Sequence, residues 1–163
     1  MDTQGIIKQD IGASITSAQL AKKIAVGTLF ISCKTNRILY NLRAEHKTYS
    51  LTWSLWGGML ENNELPKDGL LRELQEEMGF VPNIDKIYPF DIYESKDKNF
   101  RYYSFVCVVE DEFIPILNSE SSGYAWVSLG TWPNPMHYGA KQSFKSAKSI
   151  DKLKLILSNH KEV

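Results

Sequence analysis

Cysteine is scarce in this chain: its 163 residues carry two, Cys33 and Cys107, with no Cys-x-x-Cys spacing. That excludes a zinc ribbon or a disulfide scaffold, and both thiols fall inside apolar, strand-like runs suited to reduced core residues. An excess of one charge is lacking too. Nineteen Lys and Arg balance nineteen Asp and Glu, so nothing draws the protein over long range to a nucleic-acid backbone or an anionic membrane. No apolar run approaches the roughly 18 residues of a spanning helix, and Met1-Asp2-Thr3-Gln4 lacks the basic-then-apolar order of a signal peptide. The expectation is a cytoplasmic protein with neither a nucleic-acid polymer nor a membrane as partner. Internal repeats, low-complexity tracts and long linkers are also missing. What is present is an ordinary globular composition, 43% hydrophobic, 12% aromatic and 23% charged, at one-domain length. Residues 1–163 are therefore expected to form a single domain.

The apolar runs Ile24 to Cys33 and Ile38 to Arg43 read as two strands joined by a hairpin at Lys34-Thr-Asn-Arg37. Residues 1–23 are polar, and Ser17 to Lys23 reads as a short helical turn. A loop from Ala44 to Thr52 leads to Trp53-Ser-Leu-Trp56 and the pair Gly57-Gly58. Residues 66–78 have helical periodicity, with Pro66 suited to the first helical position and Gly79 to the left-handed stop. Strands are expected over 84–93, 100–109 and 124–129 from their β-branched and aromatic content, and an amphipathic helix over 142–159. Alternating elements of this kind predict an α/β sandwich with a mixed sheet.

The helix over 66–78 carries the chemistry. At about 100° per residue, Glu76 and Glu77 fall about 60° and 40° to either side of Glu73, so three carboxylates share one face. Leu70, Leu71, Leu74 and Met78 form the adjacent apolar stripe. Gly69 lies inside the acidic arc, and a helix-interior glycine costs about 1 kcal/mol relative to alanine, which points to a close approach there. A solvated acidic face would account for such a helix by itself. Clustered carboxylates are also hard ligands suited to Mg²⁺ or Mn²⁺, which keep waters and substrate phosphates in their shell.

The complete spacing runs Gly58, five residues, Glu64, seven residues, Arg72-Glu73, two residues, Glu76-Glu77, one residue, Gly79, then an apolar residue. Over residues 58–80 this resembles the Nudix box with every fixed position filled. Weaker agreement extends to the strand pair at 24–43, the Trp-x-Leu-x-Gly-Gly entry and the segment from Glu120 to Trp126-Val127. The resemblance implies the Nudix α/β/α sandwich and hydrolysis of a nucleoside diphosphate linked to another group. It implies that Glu73, Glu76 and Glu77 bind divalent metal, joined by the Gly57 carbonyl and by Glu120, and that Glu64 and Arg72 orient the loop. Glu73 and Glu120 are both candidates for the base that accepts a proton from water.

Substrate contacts are sought outside the box. Arg43, Lys47 and Arg101 are candidates for phosphate, Trp53, Trp56, Tyr102, Tyr103 and Phe105 for stacking on a base, and His137 for contact from the Pro-rich loop. Two departures from the family pattern bear on loop shape: Trp56 stands where a proline is usual, and Leu65 where a Ser or Thr cap is usual. The expected activity is a Mg²⁺-dependent pyrophosphohydrolase acting on a (d)NTP or modified dNTP. A nucleotide-sugar or ADP-ribose pyrophosphatase is the alternative within the family. A non-catalytic nucleotide-sensing module is the alternative of another class, and a homodimer is left open.

Overall fold

The computed structural model describes residues 22–161. Its centre is β1 (Lys23–Ser32), whose last eight residues are all buried, as expected of a strand covered on both faces. Along one edge β1 pairs in parallel with β6 (Phe100–Val109), from Lys23 opposite Phe100 to Ser32 opposite Val109. Along the other edge it is shared. Ala25–Thr28 pair with β4 (Trp56–Met59), and Phe30–Ile31 with β2 (Arg37–Arg43). Beyond this fork β2 takes β3 (Trp53–Ser54) on one side and β7 (Ser121–Ser128) on the other, while β5 (Lys86–Glu94) completes the far edge against β6. The β1–β2 hairpin turns at Asn36, which adopts φ 58°. Of the expected helical turn at 17–23, residues 17–21 lie outside the described residues, and Lys23 already belongs to β1.

Helix α1 (Pro66–Met78) forms where its pattern predicts, with Pro66 in the first turn. Leu65 makes no side-chain cap, and the helix stops at Gly79, φ 75°, whose N–H donates to the Gln75 carbonyl. Leu70, Leu74 and Met78 seat it on one face of the sheet, against Val26, Phe30, Leu39, Trp56 and Cys107. The opposite face is covered by α2 (Tyr138–Phe144) and α3 (Ala147–Lys161), through Phe144, Leu153, Ile156 and Leu157 on Leu29, Ile31, Val106 and Val108. The result is the expected α/β/α sandwich. Cys107 is buried and Cys33 partly so, both as free thiols. Among the described residues no helix is long and apolar enough to cross a membrane.

Most boundaries shift by one or two residues from the sequence expectation, and two departures are larger. The single helix over 142–159 is divided into α2 and α3, because Ser146 and Ser149 offer the backbone a competing local arrangement. The Ser146 hydroxyl accepts from Ser149 N–H at 3.1 Å, and the Ser149 hydroxyl donates to the Ser143 carbonyl at 2.7 Å. Strand β7 begins at Ser121 rather than Tyr124, since its first residues pair with Leu42 and Arg43 across a register shift. Glu120 is thereby set at the entrance to a strand, beside the end of β2.

Candidate active site

Arg72 organises the acidic face of α1. Its Nε and Nη2 grip the two Glu64 oxygens at 2.9 and 2.8 Å, Nη1 donates to Glu73 at 2.9 Å and Glu76 at 3.2 Å, and Nη2 also donates to the Met59 carbonyl at 3.0 Å. All five guanidinium N–H donors are thus engaged, an arrangement that the three donors of a lysine cannot reproduce. The hydrogen bonds from Arg72 hold Glu64 far down the carboxylate range, at about 2, and the N–H of Glu61 supports the same carboxylate at 3.0 Å. Gly69 is where the loop closes on the helix. A Cβ there would stand 2.1 Å from Leu60 Cδ2 and 2.8 Å from Glu64 Oε1.

Glu77 lies deepest. It is 5% exposed, and its carboxylate accepts the Gly57 N–H at 3.1 Å. Burial raises its pKa well above the ordinary value, the Gly57 bond opposes this, and the neighbouring charges of Glu73 and Glu120 raise it further. Glu73 is raised as well, first by burial, with the Arg72 contacts acting in the other direction and Glu76 and Glu120 adding repulsion. Its carboxylate occupies the space beside Gly58, where a Cβ would come within 2.6 Å of the carboxyl carbon. Gly57 itself adopts φ 148°, with Val26 O only 2.1 Å from any added Cβ. Both glycines of the entry motif are therefore required by close approach.

Glu120 joins the array from the loop, as the residue that immediately precedes β7. Its backbone N–H donates to Asn118 Oδ1 at 2.9 Å, its carbonyl accepts from Ala44 N–H at 2.9 Å, and its carboxylate pairs with Lys47 at 3.3 Å. Among the described residues no three acidic, histidine or cysteine side chains converge on one point, because Glu73 and Glu76 are turned toward Arg72. The donor set nonetheless fits a hard divalent cation. A carboxylate as buried as Glu77 with a single hydrogen bond keeps most of its lone pairs unmatched, and Glu73 and Glu120 lie within reach of its charge.

The expected substrate contacts divide. Arg43, Trp53 and His137 come together on the α2 side of the sheet. The Trp53 N–H donates to the Pro135 carbonyl and its carbonyl accepts from His137 N–H, each at 2.8 Å. His137 caps α2, its Nδ1 accepting from Gly139 N–H at 3.0 Å, so the neutral ring carries its proton on Nε2. Burial and the nearby charge of Arg43 lower its pKa. Arg43 uses one donor, Nε to the Thr48 carbonyl at 2.8 Å. It is the one arginine of four that makes no ion pair among the described residues. Tyr102 stands between the two groups: its hydroxyl fills the space left by Gly27, and its pKa is raised by burial and then by Glu77, with Arg43 opposing.

The other candidates lie apart from this group, and two of them are corrected by burial. Trp56 is fully buried against α1, with its indole N–H toward the Leu39 carbonyl at 3.3 Å, so no ligand reaches it. Phe105 is likewise buried. Tyr103 packs toward the α1 face, where its hydroxyl accepts from Arg101 at 3.2 Å, and Arg101 is itself committed to Glu94 at 2.6 Å. Sequence reasoning missed Tyr49, whose ring meets His137 edge-on at 4.9 Å, as well as the Met59 carbonyl and Asn118. An Asx turn is written in Asn118-Ser-Glu120, which is the one local signal among these. Tyr49 has φ 54°, a conformation its residue type does not announce.

The fold and this site define a Nudix protein, and comparison with known families agrees. The NUDIX domain matches residues 21–146, and the chain belongs to that family. It is 34% identical over 109 residues to a dihydroneopterin triphosphate diphosphatase of Haemophilus influenzae, an alignment covering 58% of this chain and 66% of that one. It is 40% identical over 58 residues to an 8-oxo-dGTP diphosphatase of Proteus vulgaris, covering 36% and 52%. The chain thus spans just under two thirds and about half of the lengths of these relatives. In fold it resembles the Nudix domain of Shewanella oneidensis NrtR, solved with ADP ribose, at a TM-score of 0.63 and 15% identity over 95% of this chain and 99% of that one.

Proposed function

We propose that this protein is a Mg²⁺-dependent pyrophosphohydrolase that cleaves a phosphoric anhydride bond of a (d)NTP or modified dNTP, with Mn²⁺ able to replace Mg²⁺. The observation that carries the reading is the juxtaposition of a carboxylate array centred on the buried Glu77 with an arginine that has no carboxylate partner among the described residues. Phosphate and acidic side chains repel one another, and a divalent cation between them reverses the sign of that interaction. Glu73, Glu76, Glu77 and Glu120, with the Gly57 carbonyl, are the groups to hold it. When bound, the metal polarises phosphoryl oxygens and acidifies a water.

The chain's own residues supply the rest. Arg43 has four N–H donors left for phosphate oxygens, and charge-assisted bonds of this kind are the strong ones. Trp53 and His137, with Tyr49, offer aromatic surface and an Nε2–H donor to the remainder of the substrate. Arg72 and Glu64 orient the carboxylates and touch no substrate. Two carboxylates are the candidates to accept the proton released by the attacking water, Glu73, through the oxygen not bonded to Arg72, and Glu120. Both curated relatives are named for triphosphate substrates, which favours a triphosphate over a nucleotide sugar. A cytoplasmic location, a single domain over 1–163 and a small-molecule partner belong to the same reading.

The test is a panel of dNTPs, 8-oxo-dGTP, dihydroneopterin triphosphate, a nucleotide sugar and ADP-ribose with Mg²⁺. Inorganic phosphate is followed with and without added inorganic pyrophosphatase for the triphosphates, and with and without added alkaline phosphatase for the nucleotide sugar and ADP-ribose, whose products are phosphomonoesters. Metal-dependent diphosphate release from a triphosphate is expected. Turnover of ADP-ribose alone would move the reading to the other branch. No turnover, with nucleotides still raising the melting temperature, would make the protein a sensor.

A further inference from the structure

The segment 110–120 returns from β6 to β7 past the C-terminal end of α1, and it touches that end at two points. Ile116 N–H donates to the Met78 carbonyl at 3.1 Å, and Asn118 Nδ2 donates to the Glu76 carbonyl at 3.0 Å. Glu76 O is one of the last four carbonyls of the helix, which have no partner within it. Through its other terminal atom the same Asn118 side chain accepts the Glu120 N–H at 2.9 Å. One carboxamide therefore bonds at once to the backbone of Glu76, on the helix, and to the backbone of Glu120, on the loop. No other side chain among the described residues joins these two segments by hydrogen bonds to both. The Glu120 carboxylate is 46% exposed on a side chain that would otherwise sample many rotamers.

We infer that Asn118 is a positioning residue that fixes the fourth carboxylate, Glu120, against the acidic face of α1, and so sets the affinity of the array for divalent metal. The inference rests on the reading of Glu120 as a member of that array. Asn118 touches neither metal nor substrate, and it acts through the placement of another residue's backbone. Ile116 keeps the segment docked when Asn118 is changed, so the effect falls on Glu120 rather than on the fold.

The test uses the full chain and Mn²⁺ alone, titrated by electron paramagnetic resonance without substrate. The variants are Asn118→Ala, Asn118→Asp, Glu120→Gln and the double variant Asn118→Ala/Glu120→Gln. Outer partners of metal ligands change affinity by about 10–100-fold, so Asn118→Ala should raise the Mn²⁺ Kd about tenfold, at the lower end of that range. Its melting temperature without metal should stay close to wild type. Asn118→Asp keeps the acceptor for Glu120 N–H and turns an oxygen on the Glu76 carbonyl, so a smaller rise is expected. In the Glu120→Gln background, Asn118→Ala should add nothing, because residues acting as one unit are non-additive. Additive losses, or a lowered melting temperature with unchanged Mn²⁺ binding, would overturn the inference. Unchanged Mn²⁺ binding in Glu120→Gln would overturn it together with the role of Glu120. The activity reading would then still be decided by the substrate panel.

Discussion

Arg72 and Arg43 carry the same group into neighbouring parts of the site and are treated in opposite ways. Arg72 spends all five N–H donors on Glu64, Glu73, Glu76 and the Met59 carbonyl. Arg43, half-buried, spends one on the Thr48 carbonyl. Arg37 and Arg101 side with Arg72, each bound to a carboxylate. A saturated guanidinium defines geometry and has nothing left for a ligand. An unsaturated one, already partly desolvated, gives up less when an anion arrives. A neutral protein can in this way keep an acidic cluster and an uncommitted guanidinium in neighbouring parts of one site.

The comparison is broken most severely on the acidic side. Glu77→Gln keeps an oxygen for the Gly57 N–H and removes the buried charge. Since outer partners of metal ligands alone cost about 10–100-fold, we expect a loss of at least about 100-fold in kcat with Mg²⁺, while thermal melts show an intact fold. Turnover like that of the wild type would remove the metal assignment. On the cationic side, Arg43→Ala deletes charge-assisted hydrogen bonds of about 1.5–3 kcal/mol. Steady-state kinetics should show KM for the triphosphate raised roughly 10–100-fold, kcat changed far less, and the melting temperature nearly constant. A kcat loss with unchanged KM would place Arg43 with Arg72 as a builder of the site.

The smallest effect sharpens the contrast through pH. Glu64 is held at about 2 by Arg72, below the roughly 4.3 of a free glutamate. A depressed folded pKa contributes stability that is present above the unfolded value and is lost as pH falls from there toward 2. Urea melts between pH 6 and pH 2 should show Glu64→Gln with a shallower acid limb than wild type. Arg43 pairs with no carboxylate among the described residues, so Arg43→Ala should leave that limb unchanged.

The parts of this arrangement governed by local periodicity were legible in the sequence. Pro66 and Gly79 bound α1, and the glycine at 69 marks a close approach that the structure bears out, whereas the close approaches at Gly57 and Gly58 emerge only from the tertiary structure. The parts governed by tertiary contact were not. Trp53 and Trp56 look alike as candidates, yet Trp53 packs toward the α2 and α3 face and Trp56 toward α1. No local pattern says which face each takes across the break between β3 and β4. Arg43 and Arg101 are equally basic in sequence, and only the presence of Glu94 beside Arg101 removes it from phosphate binding. The division of the last helix was hidden because Ser146 and Ser149 fit a polar helix face as readily as a corner.

Gly58 has no functional group, and its contribution to the acidic array is an empty volume. The Glu73 carboxyl carbon lies 2.6 Å from the point a Cβ would occupy, so the lightest substitution available, alanine, places a methyl group where the Glu73 side chain rests. In a saturation scan scored for turnover, position 58 should therefore tolerate as little as the glutamates themselves, while a scan scored for abundance should rank it well below the buried tryptophan at 56. Sensitivity of that kind, high for chemistry and modest for folding, would come from a residue that takes part in no bond to metal, water or phosphate.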